Sequence, residues 1–168
     1  MPPRFLSLPL VCAFAAFGFG CAAEPTSVSD PLPRIVEAKS SRHVMKRRKP
    51  TLGERAARIA LRAVGVPYSW GGASMSGFDC SGLVYWAYSR LGIELPHSSY
   101  ALYDVGRRVA RSRMRAGDVL FFSGLGHVGL YLGRGRMVHA PQSGRTVEVV
   151  TLRRSHYGDR LVGARRVA

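Results

Sequence analysis

Residues 77–84 read Gly77-Phe78-Asp79-Cys80-Ser81-Gly82-Leu83-Val84, and they predict the point where a glycine-rich loop becomes a helix. Asp79 can accept a hydrogen bond from a free amide at the helix start, and Gly92 predicts that the helix ends just beyond Leu91. Apolar residues recur through the stretch at the spacing of one helix face. They are Cys80, Leu83, Val84, Ala87, Tyr88 and Leu91. Cys80 therefore opens the stripe that we expect to face the core.

A cysteine in the first turn of a helix lies near unpaired backbone N–H groups. These groups and the helix dipole favour an anion, so we expect the pKa of Cys80 to fall from ~8.5 toward neutrality. The thiolate is the nucleophilic form, and the same amides could hold the oxyanion formed when a carbonyl is attacked. The alternative interpretation is a small buried hydrophobic residue.

Two histidines downstream of Cys80 are predicted to share one face of a β-hairpin. The segment 132–136 predicts a three-residue loop, and pairing outward from it sets His139 opposite Gly129, one pair along from His127. A helix laid on this histidine face would bring Cys80 to His127. His139 could then hydrogen-bond the far nitrogen of His127 and fix its tautomer. A zinc site formed by the same cysteine and two histidines is the alternative.

The order of predicted elements indicates the fold class. Thr51 and Glu54 form a capping-box pattern, and apolar residues from Leu52 onward predict a helix that ends near Gly65. Five strands are predicted after the second helix. They span residues 118–122, 127–132, 136–140, 146–150 and 161–166. Helices followed by strands indicate an α+β fold, with helices packed on one face of a mostly antiparallel sheet of about five or six strands.

The amino-terminal residues have the pattern of an export signal. Residues 1–23 read as a signal peptide, because Arg4 precedes an apolar run that ends in small residues. The signal could instead be that of a lipoprotein, with Cys21 as the lipidated residue. Residues 24–50 are predicted to be a flexible basic linker, and residues 51–168 the catalytic domain. We therefore expect a protein of the cell envelope, either periplasmic, anchored in the membrane as a lipoprotein, or secreted.

Charge and cysteine content restrict the partners. The formal net charge is +15, which favours anionic envelope polymers or a membrane surface. Nucleic acid is an improbable partner for an exported protein. Of the three cysteines, Cys80 is the one predicted to remain a free thiol after export.

A set of short motifs occurs in a fixed order along the chain. They are Pro67-Tyr68, Trp70-Gly71-Gly72, residues 77–84, Leu95-Pro96, Gly117-Asp118-Val119-Leu120-Phe121-Phe122, His127-Val128-Gly129-Leu130-Tyr131-Leu132-Gly133 and Met137-Val138-His139-Ala140. Together they resemble the NlpC/P60 family of cell-wall cysteine peptidases, which have a papain-like fold. The resemblance covers about residues 52–166.

This resemblance implies a DL-endopeptidase that cleaves peptidoglycan stem peptides at the bond between γ-D-glutamate and the diamino acid. It makes Cys80 the nucleophile, His127 the general base and His139 the residue that orients the base. It also implies a monomer without cofactor or metal, with peptidoglycan or muropeptides as substrate.

The resemblance also indicates a substrate-binding region around the nucleophile. Tyr68 would help at the oxyanion or the substrate, and Asp79 and Ser81 would flank the pocket, although Asp79 could simply cap its helix. Trp70 and Tyr100 could line the cleft or belong to the core.

Two other functions fit the same residues. An amidase or acyltransferase could use the same thiol chemistry on the same fold, because an acyl-enzyme can pass to water or to another acceptor. A catalytically silent wall-binding domain is the third hypothesis, which the intact Cys80, His127 and His139 set disfavours.

Overall fold

The structure is a computed structural model that describes residues 48–168. The predicted signal peptide (1–23), Cys21 and all but the last three residues of the predicted linker (24–50) lie outside the described residues. Within residues 48–168, no helix combines the length and the apolar character needed to cross a bilayer.

Two helices and a small hairpin form the first half of the domain. Helix α1 spans Leu52–Leu61 and begins with the predicted capping box, in which Thr51 and Glu54 bond each other's backbone amides. Strands β1 (Ala73–Ser74) and β2 (Gly77–Phe78) form a two-stranded hairpin inside the glycine-rich loop, where no strand was predicted. Helix α2 spans Cys80–Ser89 and α3 spans Ser99–Leu102. Both predicted helices are confirmed, and each ends a few residues earlier than expected.

A six-stranded antiparallel sheet forms the second half of the domain. Its strands are β3 (Arg107–Arg108), β4 (Val119–Phe122), β5 (Val128–Gly133), β6 (Arg136–His139), β7 (Glu148–Thr151) and β8 (Leu161–Arg166). The order across the sheet is β3-β8-β4-β5-β6-β7. A short helix, α4 (Tyr157–Arg160), precedes β8. The α+β class and the five predicted strands are confirmed, and β3 is a short edge strand that was not predicted.

The central strands β4 and β5 are buried on both faces, and helices α1 and α2 do not lie on the face that was expected. Aliphatic residues of β5 and β6, such as Leu130 and Val138, pack against α1 and α2. His127 and His139 lie on the opposite face, where both rings contact Tyr157. The prediction that the helix beginning at Cys80 lies on the histidine face is therefore wrong. The aliphatic face offers the helices more apolar area than a face that carries two imidazoles.

The β5–β6 turn also differs from the prediction, although the pairing beyond it is the expected one. Gly133 pairs with Arg136, so the loop has two residues, and a bulge between Tyr131 and Gly133 restores the predicted alignment of Leu130 with Val138. Both loop residues have left-handed backbone, with φ +53° at Arg134 and +70° at Gly135. Such a turn matches the twist of the two strands.

Helix α1 meets the start of β4 through two glycines in direct backbone contact. Gly117 has φ +94°, and a Cβ added there would lie 2.2 Å from the Cα of Gly53. The Tyr88 hydroxyl on α2 donates a hydrogen bond of 2.7 Å to the carbonyl of Gly117. Both helices therefore contact the chain just before β4 at the same residue, Gly117.

We expect Gly117→Ala to lower the free energy of unfolding by about 3 kcal/mol or more, because it adds a backbone clash to the strain of a left-handed residue. Gly133→Ala is the matched control, since Gly133 has φ +88° and no atom within 4 Å of an added Cβ. In that variant the free energy of unfolding should fall by only about 1–2 kcal/mol. Urea unfolding measures both values, and equal losses would show that the contact with Gly53 is unimportant.

Candidate active site

The carboxylate of Asp79 holds the start of α2 and the loops beside it. One oxygen accepts hydrogen bonds from the Gly82 amide at 2.6 Å and the Ser81 hydroxyl at 3.0 Å, and it lies 3.0 Å from His97 Nε2. The other oxygen accepts from the Gly71 amide at 2.9 Å. Burial alone would raise the pKa of Asp79, but bonds from Gly82, His97 and Ser81 outweigh it and lower the pKa. Asp79 thus does more than cap its helix, because it also joins two loops at the site.

Cys80 is the first residue of α2, and its thiol is partly buried. Burial raises the pKa of the Cys80 thiol, and the charge of Asp79 raises it further, while backbone hydrogen bonds from Val128 and Ser81 oppose this rise. The expectation of a lowered pKa is therefore wrong. The helix start already holds the carboxylate of Asp79, so a second anion there is disfavoured.

His127 and His139 form the predicted hydrogen-bonded pair. His127 directly precedes β5 and His139 ends β6, and the Nε2 atom of His127 lies 2.9 Å from Nδ1 of His139. The two rings are nearly perpendicular, at 84°. This contact uses the far nitrogen of His127, as predicted, and leaves Nδ1 as the ring nitrogen available to the thiol.

Both imidazoles are neutral near pH 7. Burial, followed by the nearby His139, Arg160 and His156, lowers the pKa of His127 to about 3. Burial, followed by Arg145 and His156, lowers the pKa of His139 to about 4. A neutral His127 next to a protonated thiol has the protonation state of a general base.

A cleft of about 460 Å³ brings the predicted site residues together. Six of them line it, namely Tyr68, Trp70, Asp79, Cys80, Ser81 and His127. His139 lies behind His127 and is fully buried. Cys80 therefore reaches the cleft from the amino-terminal end of α2, next to Val128 at the start of β5, and does not approach across a face of the sheet.

The two aromatic residues of uncertain position lie in the cleft and not in the core. Trp70 is 87% exposed and Tyr100 is 61% exposed, and both line the cleft. Exposed aromatic rings beside a nucleophile are suited to contact a substrate.

Sequence reasoning missed two residues near Cys80 and His127, namely His97 and Tyr157. His97 lines the cleft and stacks on Tyr85 with ring centroids 5.9 Å apart. Tyr157 stacks on His127 at 5.3 Å and contacts the edge of His139 at 4.8 Å. The Leu95-Pro96 motif, which directly precedes His97, was a weak signal that His97 could lie at the site. No pattern pointed to Tyr157, which comes from a separate element.

The zinc alternative receives no support from the geometry. Within residues 48–168, no three His, Cys, Asp or Glu side chains converge as metal ligands. Zinc lies ~2.0–2.1 Å from each histidine nitrogen that binds it. The facing nitrogens of His127 and His139 instead make a direct hydrogen bond at 2.9 Å.

A larger cleft lies between α1 and α2 but holds no catalytic group. Its volume is about 750 Å³, and its lining includes Arg55, Arg58, Arg62 and Arg90 and neither a cysteine nor a histidine. Size alone is therefore a poor guide to the reactive site in this domain.

Comparison with known proteins identifies relatives along most of the domain. The profile of the NlpC/P60 family matches residues 65–166. A probable endopeptidase of Mycobacterium tuberculosis is 52% identical over 103 residues, which cover 60% of this chain and 27% of the relative. The peptidoglycan endopeptidase RipA of the same organism is 37% identical over 142 residues, covering 76% and 28%. A γ-D-glutamyl-L-lysine dipeptidyl-peptidase of Bacillus subtilis is 39% identical over 109 residues, covering 61% and 37%.

A solved structure has the same fold. An NlpC/P60 family protein from Bacillus cereus superposes with a TM-score of 0.65 at 34% identity, covering 71% of this chain and 41% of that one. This chain thus spans only about a quarter to two fifths of the length of these relatives.

We expect the free energy of unfolding to fall as the pH is lowered from 7 to 5. The folded-state pKa values of about 3 for His127 and about 4 for His139 lie below the ~6.5 of an unfolded histidine. The unfolded chain therefore takes up protons first, and stability that is complete above pH ~6.5 is lost at up to ~1.4 kcal/mol per pH unit for each histidine.

Urea unfolding at several pH values measures this slope. The double variant His127→Gln, His139→Gln should flatten it, because the two groups that stay neutral in the fold are gone. An unchanged slope in the double variant would contradict the assignment.

Proposed function

The chain belongs to the NlpC/P60 family, and from this we propose that it is a peptidoglycan endopeptidase that cleaves stem peptides with Cys80 as nucleophile. One observation carries the proposal. Cys80 and His127 line the same cleft, and the far nitrogen of His127 is held by His139 at 2.9 Å. A thiol, a base and an orienting residue in this order are the parts that covalent acyl transfer needs.

The relatives support a substrate within the peptidoglycan stem. RipA is named a peptidoglycan endopeptidase, and the Bacillus subtilis relative is named for the γ-D-glutamyl-L-lysine bond. We propose the bond between γ-D-glutamate and the diamino acid as the one that this chain cleaves.

The protonation states favour a mechanism in which the base takes the thiol proton as attack occurs. Sγ of Cys80 attacks the carbonyl carbon while its proton moves to Nδ1 of His127, and the carbonyl oxygen becomes an oxyanion. His127 then passes the proton to the leaving amine, which departs and leaves a thioester on Cys80. Water attacks the thioester with His127 again as base, which releases the acid product and restores the thiol.

Groups around the cleft fit the charges that develop in this reaction. Nδ1 of His139 accepts a hydrogen bond from the Nε2–H group of His127 and so stabilises the imidazolium that forms. The Tyr68 hydroxyl stays protonated because burial, followed by Cys80 and Asp79, raises the pKa of Tyr68. It can therefore donate to the oxyanion or to the substrate, together with the Cys80 amide at the helix start.

We also propose the cell envelope as the place of action. The amino-terminal export pattern and the net charge of +15 suit a protein that meets anionic wall polymers or membrane surfaces. Recovery of the natural protein from the cytosol, with its first residues intact, would contradict this location.

Cys80→Ala should abolish cleavage of purified muropeptides while the protein stays folded, because the change removes a single heavy atom at the surface of the cleft. Mass spectrometry of the digest measures activity and identifies the bond. We expect a cut inside the stem, whereas a cut between sugar and peptide would indicate an amidase.

Cys80→Ser is the matched control, since it preserves the shape and replaces sulfur with a weaker nucleophile. Turnover near that of wild type in this variant would rule out Cys80 as the nucleophile. A wild-type protein that binds sacculi and cuts no muropeptide would point to the wall-binding alternative.

His127 should matter more than His139, because only His127 holds the transferred proton. We expect His127→Ala to lose at least the ~10²–10⁴-fold that general-base catalysis supplies. His139→Gln should keep measurable activity and His139→Ala much less, because glutamine can still bond the far nitrogen of His127. Initial rates on a soluble muropeptide measure the activity that each variant retains. If His127→Ala kept more activity than His139→Ala, the roles of the two histidines would have to be exchanged.

A further inference from the structure

One ring nitrogen of His139 is buried without a regular hydrogen bond. The side chain of His139 is fully buried, and among the described residues its Nε2 atom has no hydrogen-bond partner. A buried polar atom of this kind normally has a partner, because leaving it unpaired costs free energy. The Nδ1 atom of the same ring is already used by His127.

A carboxylate faces this nitrogen. Oε1 of Glu148 lies 3.4 Å from Nε2 of His139, slightly beyond the ~2.7–3.2 Å of a usual N–H···O bond. The two groups are therefore close neighbours, although His139 is neutral and the hydrogen-bond geometry is incomplete. A small side-chain rotation of Glu148 would close the bond.

The sheet itself sets this juxtaposition. His139 on β6 and Glu148 on β7 are directly paired in the antiparallel register. The other carboxylate oxygen of Glu148 accepts a 2.6 Å bond from Arg145, which holds the group in place. A solvent-exposed pair such as Arg145–Glu148 contributes little to stability, so its effect here is to fix the position of the Glu148 carboxylate.

The direction of the hydrogen bonds decides whether His127 can act as a base. If Nε2 of His139 carries the proton and donates it to Glu148, Nδ1 of His139 must accept from Nε2 of His127. His127 then has an unprotonated Nδ1 that can take the thiol proton. In the reverse arrangement His139 donates to His127, which places the proton of His127 on Nδ1 and blocks the base.

We propose that Glu148 is a positioning residue that selects the tautomer of His139 and, through it, the base form of His127. The inference rests on the proposed function, because it extends the catalytic set from Cys80, His127 and His139 to a fourth side chain. Glu148 itself lies outside the cleft and acts through His139.

The first test measures kinetics on a soluble muropeptide. Glu148→Leu removes the acceptor and should lower kcat by about tenfold with little change in KM, less than the ~10⁴-fold loss known when a directly bonded orienting carboxylate is replaced. Glu148→Gln keeps an acceptor oxygen and should lose less. Glu94→Leu is the matched control, because Glu94 is an exposed acid with no place in the site.

The second test reads the tautomers directly. NMR of ¹⁵N-histidine-labelled Cys80→Ala protein should show His139 and His127 both protonated at Nε2. Adding Glu148→Leu should shift His139 and His127 toward protonation at Nδ1, whereas Glu94→Leu should leave both unchanged. The readout needs no substrate, so it stands even if the muropeptide assay fails.

Three outcomes would contradict either the positioning role of Glu148 or the proposed endopeptidase function. Unchanged kcat and tautomers in both Glu148 variants would overturn the positioning role. A loss of activity with unchanged tautomers would also overturn it, since the residue would then act only on stability. A wild-type protein that cleaves no muropeptide, yet changes tautomer in Glu148→Leu, would overturn the proposed function and leave the positioning role intact.

Discussion

The hydrogen bonds of the Asp79 carboxylate are the interaction on which the site depends. This one side chain caps α2 through Gly82 and holds Gly71 and His97 at the edges of the cleft. The space around it is closed, because a Cβ on Gly82 would lie 2.0 Å from the carbonyl oxygen of Gly72. The glycine and the carboxylate together therefore set the position of Cys80 relative to both loops.

The same interaction has a chemical consequence. Burial of the thiol, with a smaller contribution from the neighbouring Asp79 carboxylate, raises the pKa of Cys80 and keeps the thiol protonated. The buried histidines are neutral for a related reason, since their charged forms would lose hydration. The resting site is thus a neutral thiol beside a neutral imidazole. The mechanism that we propose therefore relies on proton transfer during attack, and so on the orientation of His127.

Most of the fold could be predicted from local patterns. The capping box at Thr51, the helix that begins at Cys80 and the strand positions all follow from residues close together in the chain. The short strands β1, β2 and β3 could not, because two residues carry no periodicity and pair only when other elements hold them. The helix-covered face was also wrongly predicted. Both faces of β4 and β5 are apolar, so alternation cannot say which one takes the helices.

The sequence by itself determined which groups are the candidates for the chemistry, since a thiol at a predicted helix start and two histidines twelve residues apart on a predicted hairpin are local features. Only the tertiary structure decided the ionisation of these groups and the residues that surround them. The pKa of Cys80 depends on burial and on Asp79, and the environment of His139 depends on Tyr157 and Glu148, which come from other elements. Hydrogen bonds and burial are set by distances across the fold, and no spacing along the chain encodes them.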